Sequence, residues 1–349
     1  MVEEKTVQLD LFQSPNQKVI LIENLFPNGG TRQFLKLLKL YNFKDKTKLY
    51  LVRRDFNSLR DILGFIKDYF YAIFHKPKNI KIKLIFNPIH LDKNILYVST
   101  SRRTLNFIND LDSPNHFHYF QHIEFWEYLN SDEFFNHCST LGYPSPTYFY
   151  NLFTSQNKLL DSNYKINLPK INNFLTVSEF LCKILEKLNK KNIKIMRVYP
   201  HITHAHRYRK KEYDFLLFYR ASRFKGDDMA LKIINKYKDL FKIVVIVFNN
   251  NIYQKISVTK NIFIHIHPSD VILGELFAKS WLVINTSLSE GFGSIPQEAL
   301  EHGCHVVSSK TGWLTDTEPN RRVKIIKKHI LDNYTYEIDK LLKMRNHKD

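Results

Sequence analysis

The chain has 349 residues, 44% of them hydrophobic and 14% aromatic, and a formal net charge of +18. This composition excludes a disordered or collagen-like chain, and the length is enough for two domains with a core each. Three cysteines, Cys138, Cys182 and Cys304, are odd in number and far apart, which excludes a disulfide framework or a cysteine-ligated metal and points to a reducing, cytoplasmic setting. The opening residues hold no apolar run of signal-peptide length, and no stretch approaches roughly 18 consecutive apolar residues, so no transmembrane helix is expected. The positive charge fits nucleic acid, an anionic membrane surface or a polyanionic glycan as partner, or reflects only a lysine-rich coding bias.

Residues 1–16 read as a loosely packed lead-in. Lys18–Glu23 reads as a strand, the loop after it holds Gly29 and Gly30, and a helical run follows over 32–41. Strand, Gly-Gly loop and helix together form an anion cradle in principle, since a helix N-terminus offers unpaired N–H groups. Strands are predicted over 48–53, 81–86 and 95–100. Between the first two, 57–75 has helical periodicity with Leu59, Ile62, Leu63, Ile66, Tyr69 and Phe70 on one face. The lysines behind it, Lys76, Lys78, Lys81 and Lys83, make it either a core-facing helix with a solvated basic turn or a membrane-surface helix. This strand–helix alternation predicts a doubly wound α/β domain.

His116–Phe120 reads as a further strand, with Gln121-His122-Ile123-Glu124 at its C-terminal end, the edge where open α/β sheets bind ligands. The same residues also read as a plain loop beside core aromatics Phe125, Trp126 and Tyr128. Residues 174–180 form a strand running into a helix capped by Ser178. A strand over 193–199 is stopped by Pro200, and the polar, basic 201–212 reads as the interdomain linker. Its histidines His201, His204 and His206 have no cysteine or carboxylate partner set, so no metal site is expected. The expected domains are therefore 1–200 and 201–349.

In the second domain, an apolar strand over 214–219 is followed by Arg220, Arg223, Lys225 and Gly226, then a helix over 228–237. Arginine offers a planar fork to phosphate oxygens and lysine a point charge. Strands follow over 243–248 and 262–266, the latter holding His265 ahead of a helix over 271–279. The stretch from Trp281 to Asp316 is strand, polar loop, Glu290-Gly291-Phe292-Gly293-Ser294, a helix with Pro296 in its first turn, and a second strand beginning at Val306. Glycines let a backbone approach a ligand closely, the helix N-terminus favours phosphate, and Glu290 and Glu298 can accept from sugar hydroxyls. On spacing alone this is equally a tight strand-to-helix turn with two surface glutamates. A short strand over 323–326 and an amphipathic helix over 329–344 close the chain.

The wording of EGFGSIPQEALEHGCHVVSS resembles the signature of retaining glycosyltransferases with the GT-B fold, close to glycosyltransferase family 4. The resemblance is specific over this stretch and extends more weakly over the C-terminal half. It implies two Rossmann-like domains facing across a cleft, a nucleotide diphosphate sugar as donor, and no metal or other cofactor. It implies that Glu290 contacts the donor hexose and Glu298 the nucleotide ribose, with Gly291, Phe292, Gly293 and Ser294 lining the donor. Arg220 and Lys225 match the family's Arg…Lys-Gly motif that clamps the diphosphate, although Tyr219 stands where the family has Gly before the Arg. Gly29 and Gly30 match its N-terminal Gly-Gly loop against the donor. His265 stands where members contact the base. Gln121 and His122 resemble the Gln-Asp segment of some rhamnosyl- and related transferases, with His122 replacing Asp, and fall on the acceptor or sugar side. In this family a final helix often packs back on the N-terminal domain. The expected acceptor is a glycan or glycolipid of the cell surface, with attachment to an anionic membrane at its cytoplasmic face. Nucleic acid ranks below these as a partner. Two other readings stay open: a phage-type DNA glycosyltransferase, and a nucleotide-sugar-binding protein without turnover.

Overall fold

The structure is a computed structural model, and it describes residues 18–23, 48–52, 81–85, 87–123, 126–155, 167–195, 211–220, 222–248 and 255–346. Gly29, Gly30, the 57–75 helix, Glu124, Phe125, His201, His204 and His206 lie outside the described residues. The chain divides into two compact units, one formed by 1–124 with 160–198 and the other by 125–159 with 199–349. The sequence reading divides the chain once, at residue 200. The excursion of 125–159 into the second unit is an addition to it.

The first unit is built on a parallel sheet of seven strands: β1 (Lys18–Glu23), β2 (Lys48–Val52), β3 (Lys81–Ile85), β4 (Ile95–Ser99), β5 (His116–Phe120), β6 (Asn173–Thr176) and β7 (Asn192–Ile195). Their order is β3-β2-β1-β4-β5-β6-β7, with β1 paired to both β2 and β4. The short α1 (Arg102–Leu105) follows β4. In the excursion lie α2 (Trp126–Leu129), α3 (Asp132–Thr140) and α4 (Pro146–Thr154), and α5 (Glu179–Lys187) follows β6. Ser131, Ser145 and Ser178 cap α3, α4 and α5, each side chain accepting a backbone N–H three residues on. The strands β4, β5 and β6 are buried along almost their whole length, as parallel strands covered on both faces are.

The second unit repeats the plan. Its strands are β8 (Tyr213–Tyr219), β9 (Ile243–Val247), β10 (Ile262–Ile266), β11 (Ser280–Asn285), β12 (His305–Ser309) and β13 (Val323–Ile326), in the order β10-β9-β8-β11-β12-β13, all parallel. The helices are α6 (Asp227–Tyr237), α7 (Asp270–Lys279), α8 (Ser294–Glu301) and α9 (Leu331–Asn346). Side chains alternate across a strand. Phe215, Leu217 and Tyr219 of β8 therefore join Val245, Ile284, Ile233 of α6 and Ile338 of α9 on one face. Leu216 and Phe218 join Val244, Val283, Phe277 of α7 and Ala299 of α8 on the other. Helix α9 packs against α6, β12 and β13 of its own unit. In both sheets the strand order reverses beside the first strand, between β1 and β4 and between β8 and β11. Such switch points are where doubly wound sheets bind ligands, at the carboxyl ends of the strands.

Lys211, just before β8, anchors the helices on the second face. Its ammonium donates to the carbonyls of Ala278 at 2.8 Å and His302 at 3.3 Å, the C-terminal ends of α7 and α8. A cation is well placed at the negative end of a helix. Arg345 of α9 in turn pairs with Asp214 and donates to the Lys211 carbonyl at 2.9 Å. Charged hydrogen bonds of this kind each contribute about 1.5–3 kcal/mol. Lys211→Met, which keeps the aliphatic stem, is expected to destabilise the second unit by about that amount. Thermal unfolding followed by circular dichroism checks it, and an unchanged melting temperature would mean that water satisfies the two carbonyls equally well.

Candidate functional site

Strand β8 ends at Tyr219 and β11 at Asn285, and the two loops that leave them at the switch point are laced together. The loop after β8 carries Arg220, a single 3-10 turn over Arg223–Lys225, and Gly226, which opens α6. The Thr286 hydroxyl donates to the Lys225 carbonyl at 3.1 Å, and the Leu288 N–H donates to the Phe224 carbonyl at 2.8 Å. Gly226 has φ 73°, and a Cβ there would lie 2.0 Å from the Thr286 carbonyl oxygen. Both facts require glycine: the left-handed backbone and the closeness of the second loop.

Charge sits at this seam. The Lys225 ammonium lies 2.8 Å from Glu290 Oε1, with both side chains only 14% exposed. Burial alone pushes the Glu290 carboxyl upward, but Lys225 and then Arg220 outweigh it, helped by hydrogen bonds from Lys225 and the Ser287 side chain, and hold it at about 2. Burial draws the Lys225 ammonium down, against the pull of Glu290. Glu290 is ionised at neutral pH. The Arg220 guanidinium lies 5.2 Å over the Phe218 ring and 5.6 Å over the Phe248 ring, and those rings stack on each other at 10°. Its Nε is buried without a hydrogen-bond partner among the described residues. That donor is available to a ligand or water acceptor.

The signature loop is held from its other side. Trp313 donates its backbone N–H to the Phe292 carbonyl at 2.9 Å and its indole N–H to the Gly293 carbonyl at 3.0 Å. Gly312 beside it has φ 58°, and a Cβ there would meet the Phe292 carbonyl oxygen at 2.1 Å. Gly293, itself left-handed, opens α8, and Glu298 stands half-buried in the second turn of that helix. Helices α6 and α8 both begin on glycine with no side-chain cap, whereas α3, α4, α5 and α7 begin on a capping serine. The uncapped N–H groups and the positive helix ends face the carboxyl edge of the sheet, an arrangement that suits phosphate.

The structure thus brings Arg220, Lys225, Glu290, Gly291, Phe292, Gly293 and Ser294 to one switch point, with Glu298 following on α8. His265 is half-buried near the end of β10, two strands from β8, with its pKa lowered by burial. Gln121 and His122 belong to the first unit, at the carboxyl end of β5. There the Gln121 amide donates to the Thr100 carbonyl at 3.3 Å, and His122 Nδ1 lies 2.8 Å from the Ile123 carbonyl. Arg223, the rival phosphate ligand by sequence, is committed to α3 and the turn before it. It sits 2.8 Å from Asp132, donates to the Asn130 carbonyl at 3.2 Å and covers the Phe135 ring at 4.3 Å. Among the described residues no three or more His, Cys, Asp or Glu are grouped to share a metal, and no helix is long and apolar enough to cross a membrane.

Three residues of this site escaped the sequence reading: Ser287, Trp313 and Asp227. Nothing in the spacing of Ser287 or Trp313 marks either as a partner of the signature loop. Asp227 carried a signal, being the acidic residue directly after the Lys-Gly pair. It is buried and accepts the Arg220 backbone N–H at 3.2 Å, fixing where the guanidinium starts.

No protein-family model matches this sequence, and no curated protein matches it. Solved structures do match the fold. HepE of Anabaena, crystallised with UDP, superposes with a TM-score of 0.65 at 12% identity, covering 94% of this chain and 90% of that one. A variant of TarM from S. aureus, crystallised with fondaparinux, α-GlcNAc-glycerol and UDP, gives 0.62 at 11% identity over 94% of this chain and 93% of that one. WaaG, a glycosyltransferase involved in lipopolysaccharide biosynthesis, gives 0.56 at 13% identity over 93% and 90%. The chain has the fold of GT-B glycosyltransferases, the architecture the sequence led us to expect. At these identities the likeness carries the fold, and the roles of residues rest on the geometry above.

Burial raises the Asp227 carboxyl from an ordinary 3.8 to about 6, with the N–H donors of Arg220 and Ser222 opposing the rise. A carboxyl whose folded-state pKa lies above its unfolded value costs nothing below the lower value. Its penalty grows between the two and is constant above the higher. Asp227→Asn keeps an oxygen for the Arg220 N–H and removes the charge. It is expected to be more stable than the wild type above about pH 6, by about 3 kcal/mol at most, and to converge with it near pH 3.8. Unfolding curves of both proteins across that range check this. A constant difference between them would show that the carboxyl does not titrate with folding.

Proposed function

We propose that the chain is a glycosyltransferase that moves a hexose from a nucleoside diphosphate sugar to an acceptor hydroxyl, with retention at the anomeric carbon. The observation that carries this reading is the Arg220–Lys225–Glu290 cluster at the switch point of the second sheet, flanked by two helix N-termini without side-chain caps. Two half-buried cations, Arg220 and Lys225, lie at this loop and can be turned to a diphosphate. The carboxylate has acceptor sites beyond those used by Lys225 and Ser287, and these can take hexose hydroxyls. Glu298, one turn into α8, takes the ribose.

As the bond from the anomeric carbon to the diphosphate oxygen breaks, negative charge grows on the departing phosphate. Arg220, Lys225 and the N–H groups of α6 and α8 bind that charge more strongly in the transition state than in the ground state. The acceptor oxygen forms the new bond, and its proton passes to the leaving diphosphate. In this reading the cationic side chains and helix ends do the phosphate work without a metal or other cofactor. By the family resemblance we assign Gly29, Gly30 and His265 to binding of the donor, and Gln121 and His122 to the acceptor or sugar. The charge of +18 supports an anionic partner, which we take to be a lipid-linked or surface-polysaccharide acceptor at the cytoplasmic face of a membrane. The protein would attach there peripherally.

The test is initial-rate kinetics, with a panel of nucleotide sugars, on Arg220→Ala, Lys225→Ala and the double variant. Each single change is expected to lower turnover by about 10²–10³-fold, as loss of an electrostatic stabiliser does elsewhere. Because the two cations serve one diphosphate, the double variant should cost less than the product of the singles. Near-normal turnover in both single variants, with the wild type active, would place the phosphate site elsewhere.

A further inference from the structure

Strand β12 ends at Ser309, and a 3-10 turn over Gly312–Asp316 follows it. The Leu314 N–H donates to the Thr311 carbonyl at 3.2 Å, the Thr317 N–H to the Leu314 carbonyl at 3.4 Å, and the Thr317 hydroxyl to the Trp313 carbonyl at 3.0 Å. Trp313 therefore stands on a closed turn directly behind the second sheet. From there it sends two donors to the signature loop. Its backbone N–H reaches the Phe292 carbonyl at 2.9 Å, and its indole N–H reaches the Gly293 carbonyl at 3.0 Å. Phe292 and Gly293 are consecutive, so one residue grips two successive peptide groups.

A trans peptide carries its C=O and its N–H on opposite sides. With its C=O turned to Trp313, the peptide between Phe292 and Gly293 turns the Gly293 N–H away from the indole. The peptide between Gly293 and Ser294 turns the Ser294 N–H away in the same manner. Gly293 is left-handed, at φ 85° and ψ 67°, and Ser294 opens the right-handed α8. Successive residues of opposite hand bring their N–H groups round to one concave side, which suits an anion. Neither N–H has a hydrogen-bond partner among the described residues, and both residues are half-exposed. The Glu290 side chain flanks the same backbone, since a Cβ built on Gly293 would lie 3.8 Å from its Cγ.

We propose that Trp313 is a positioning residue that holds the Phe292 and Gly293 carbonyls and so aims the Gly293 and Ser294 N–H groups at the diphosphate of the donor. Trp313 need not touch the substrate. The proposal rests on the reading of the switch point as a diphosphate site, and it makes a separate statement about the loop itself. The backbone donor of Trp313 fixes the first peptide, and the indole fixes the second. Glycine has no Cβ to restrict it, so the second peptide is free to turn once the indole bond is lost. Phenylalanine fills part of the same space but has no side-chain N–H, so the role asks for tryptophan.

The experiment compares wild type and Trp313→Phe, first by amide NMR relaxation of the ligand-free proteins. Trp313→Phe keeps the backbone donor and loses the indole. The order parameter of the Ser294 N–H is therefore expected to fall from about 0.85 to below about 0.6, while Gly293 and β9 stay near 0.85. The second readout is calorimetric titration with whichever of UDP, GDP and ADP the wild type binds. The variant's Kd for that diphosphate is expected to rise by about 10-fold, as loss of one hydrogen bond to a charged group does, with the Kd of the matching nucleoside within about twofold. A third readout needs no variant: in the wild type the diphosphate is expected to move the Gly293 and Ser294 amide protons downfield. A rigid Ser294 N–H in Trp313→Phe, or order lost across the loop and β9 together, would overturn the proposal. So would an unchanged diphosphate Kd, or amide protons that the diphosphate does not move. A wild type that binds none of the three diphosphates would overturn the diphosphate reading and the aim assigned to the two N–H groups, and the order parameters would then decide whether Trp313 fixes the loop.

Discussion

The Lys225–Glu290 pair joins the loop after β8 to the loop after β11 at the point where the strand order of the second sheet reverses. A buried pair of this kind is costly to desolvate and is a weak source of stability. Its presence makes sense if the two loops must meet in one arrangement. The neighbouring contacts enforce the same arrangement without charge: Gly226 against the Thr286 carbonyl, Thr286 on the Lys225 carbonyl, and Leu288 on the Phe224 carbonyl. Arg220 then adds a second cation, seated on Phe218 and Phe248 and aimed by Asp227. The site is an electrostatic device built by sheet topology, with helices α6 and α8 starting where the charges lie.

Supports surround this seam on several sides within the second unit. Trp313 and Gly312 hold the Phe292–Gly293 backbone from the β12 side. Arg223 ties the β8 loop to α3 and the turn before it. Lys211 holds the far ends of α7 and α8, so the helix that carries Glu298 is fixed at its C-terminus as well. Sites placed on rigid elements with such outer contacts keep their geometry more closely than sites on free loops.

Much of this was legible in the sequence because it is local. The apolar runs at Phe215–Tyr219 and Ile243–Val247 read as buried strands. Ser178 announced its helix, and the Gly-containing loop after Asn285 announced a strand-to-helix turn. Arg220, Lys225 and Glu290 could be named because a motif resemblance gave them roles that periodicity alone does not. What stayed hidden depends on tertiary contact. Arg223 and Lys225 are two residues apart and chemically alike, yet one turns to Asp132 and the other to Glu290, which only the packing of α3 decides. The membership of 125–159 in the second unit was unreadable for the same reason. Its aromatic residues suit any core, and the bonds from Tyr143 to His329 and Tyr334 span more than half the chain's length in sequence. Trp313 was within the stretch that drew notice, but nothing in its spacing marks it as a donor to the loop before it.

The account stands or falls on whether the switch point of the second sheet is a diphosphate site. Calorimetric titration of UDP, GDP and ADP, each beside its nucleoside, against the wild type and Arg220→Met measures this directly. Methionine keeps an apolar chain against Phe218 and Phe248 while removing the guanidinium. The account predicts that the wild type binds at least one nucleoside diphosphate far more tightly than its nucleoside. It also predicts that Arg220→Met loses about 1.5–3 kcal/mol of that preference, as loss of a charged hydrogen bond does. A wild type that binds no nucleoside diphosphate, or an Arg220→Met protein that binds it equally well, would contradict it.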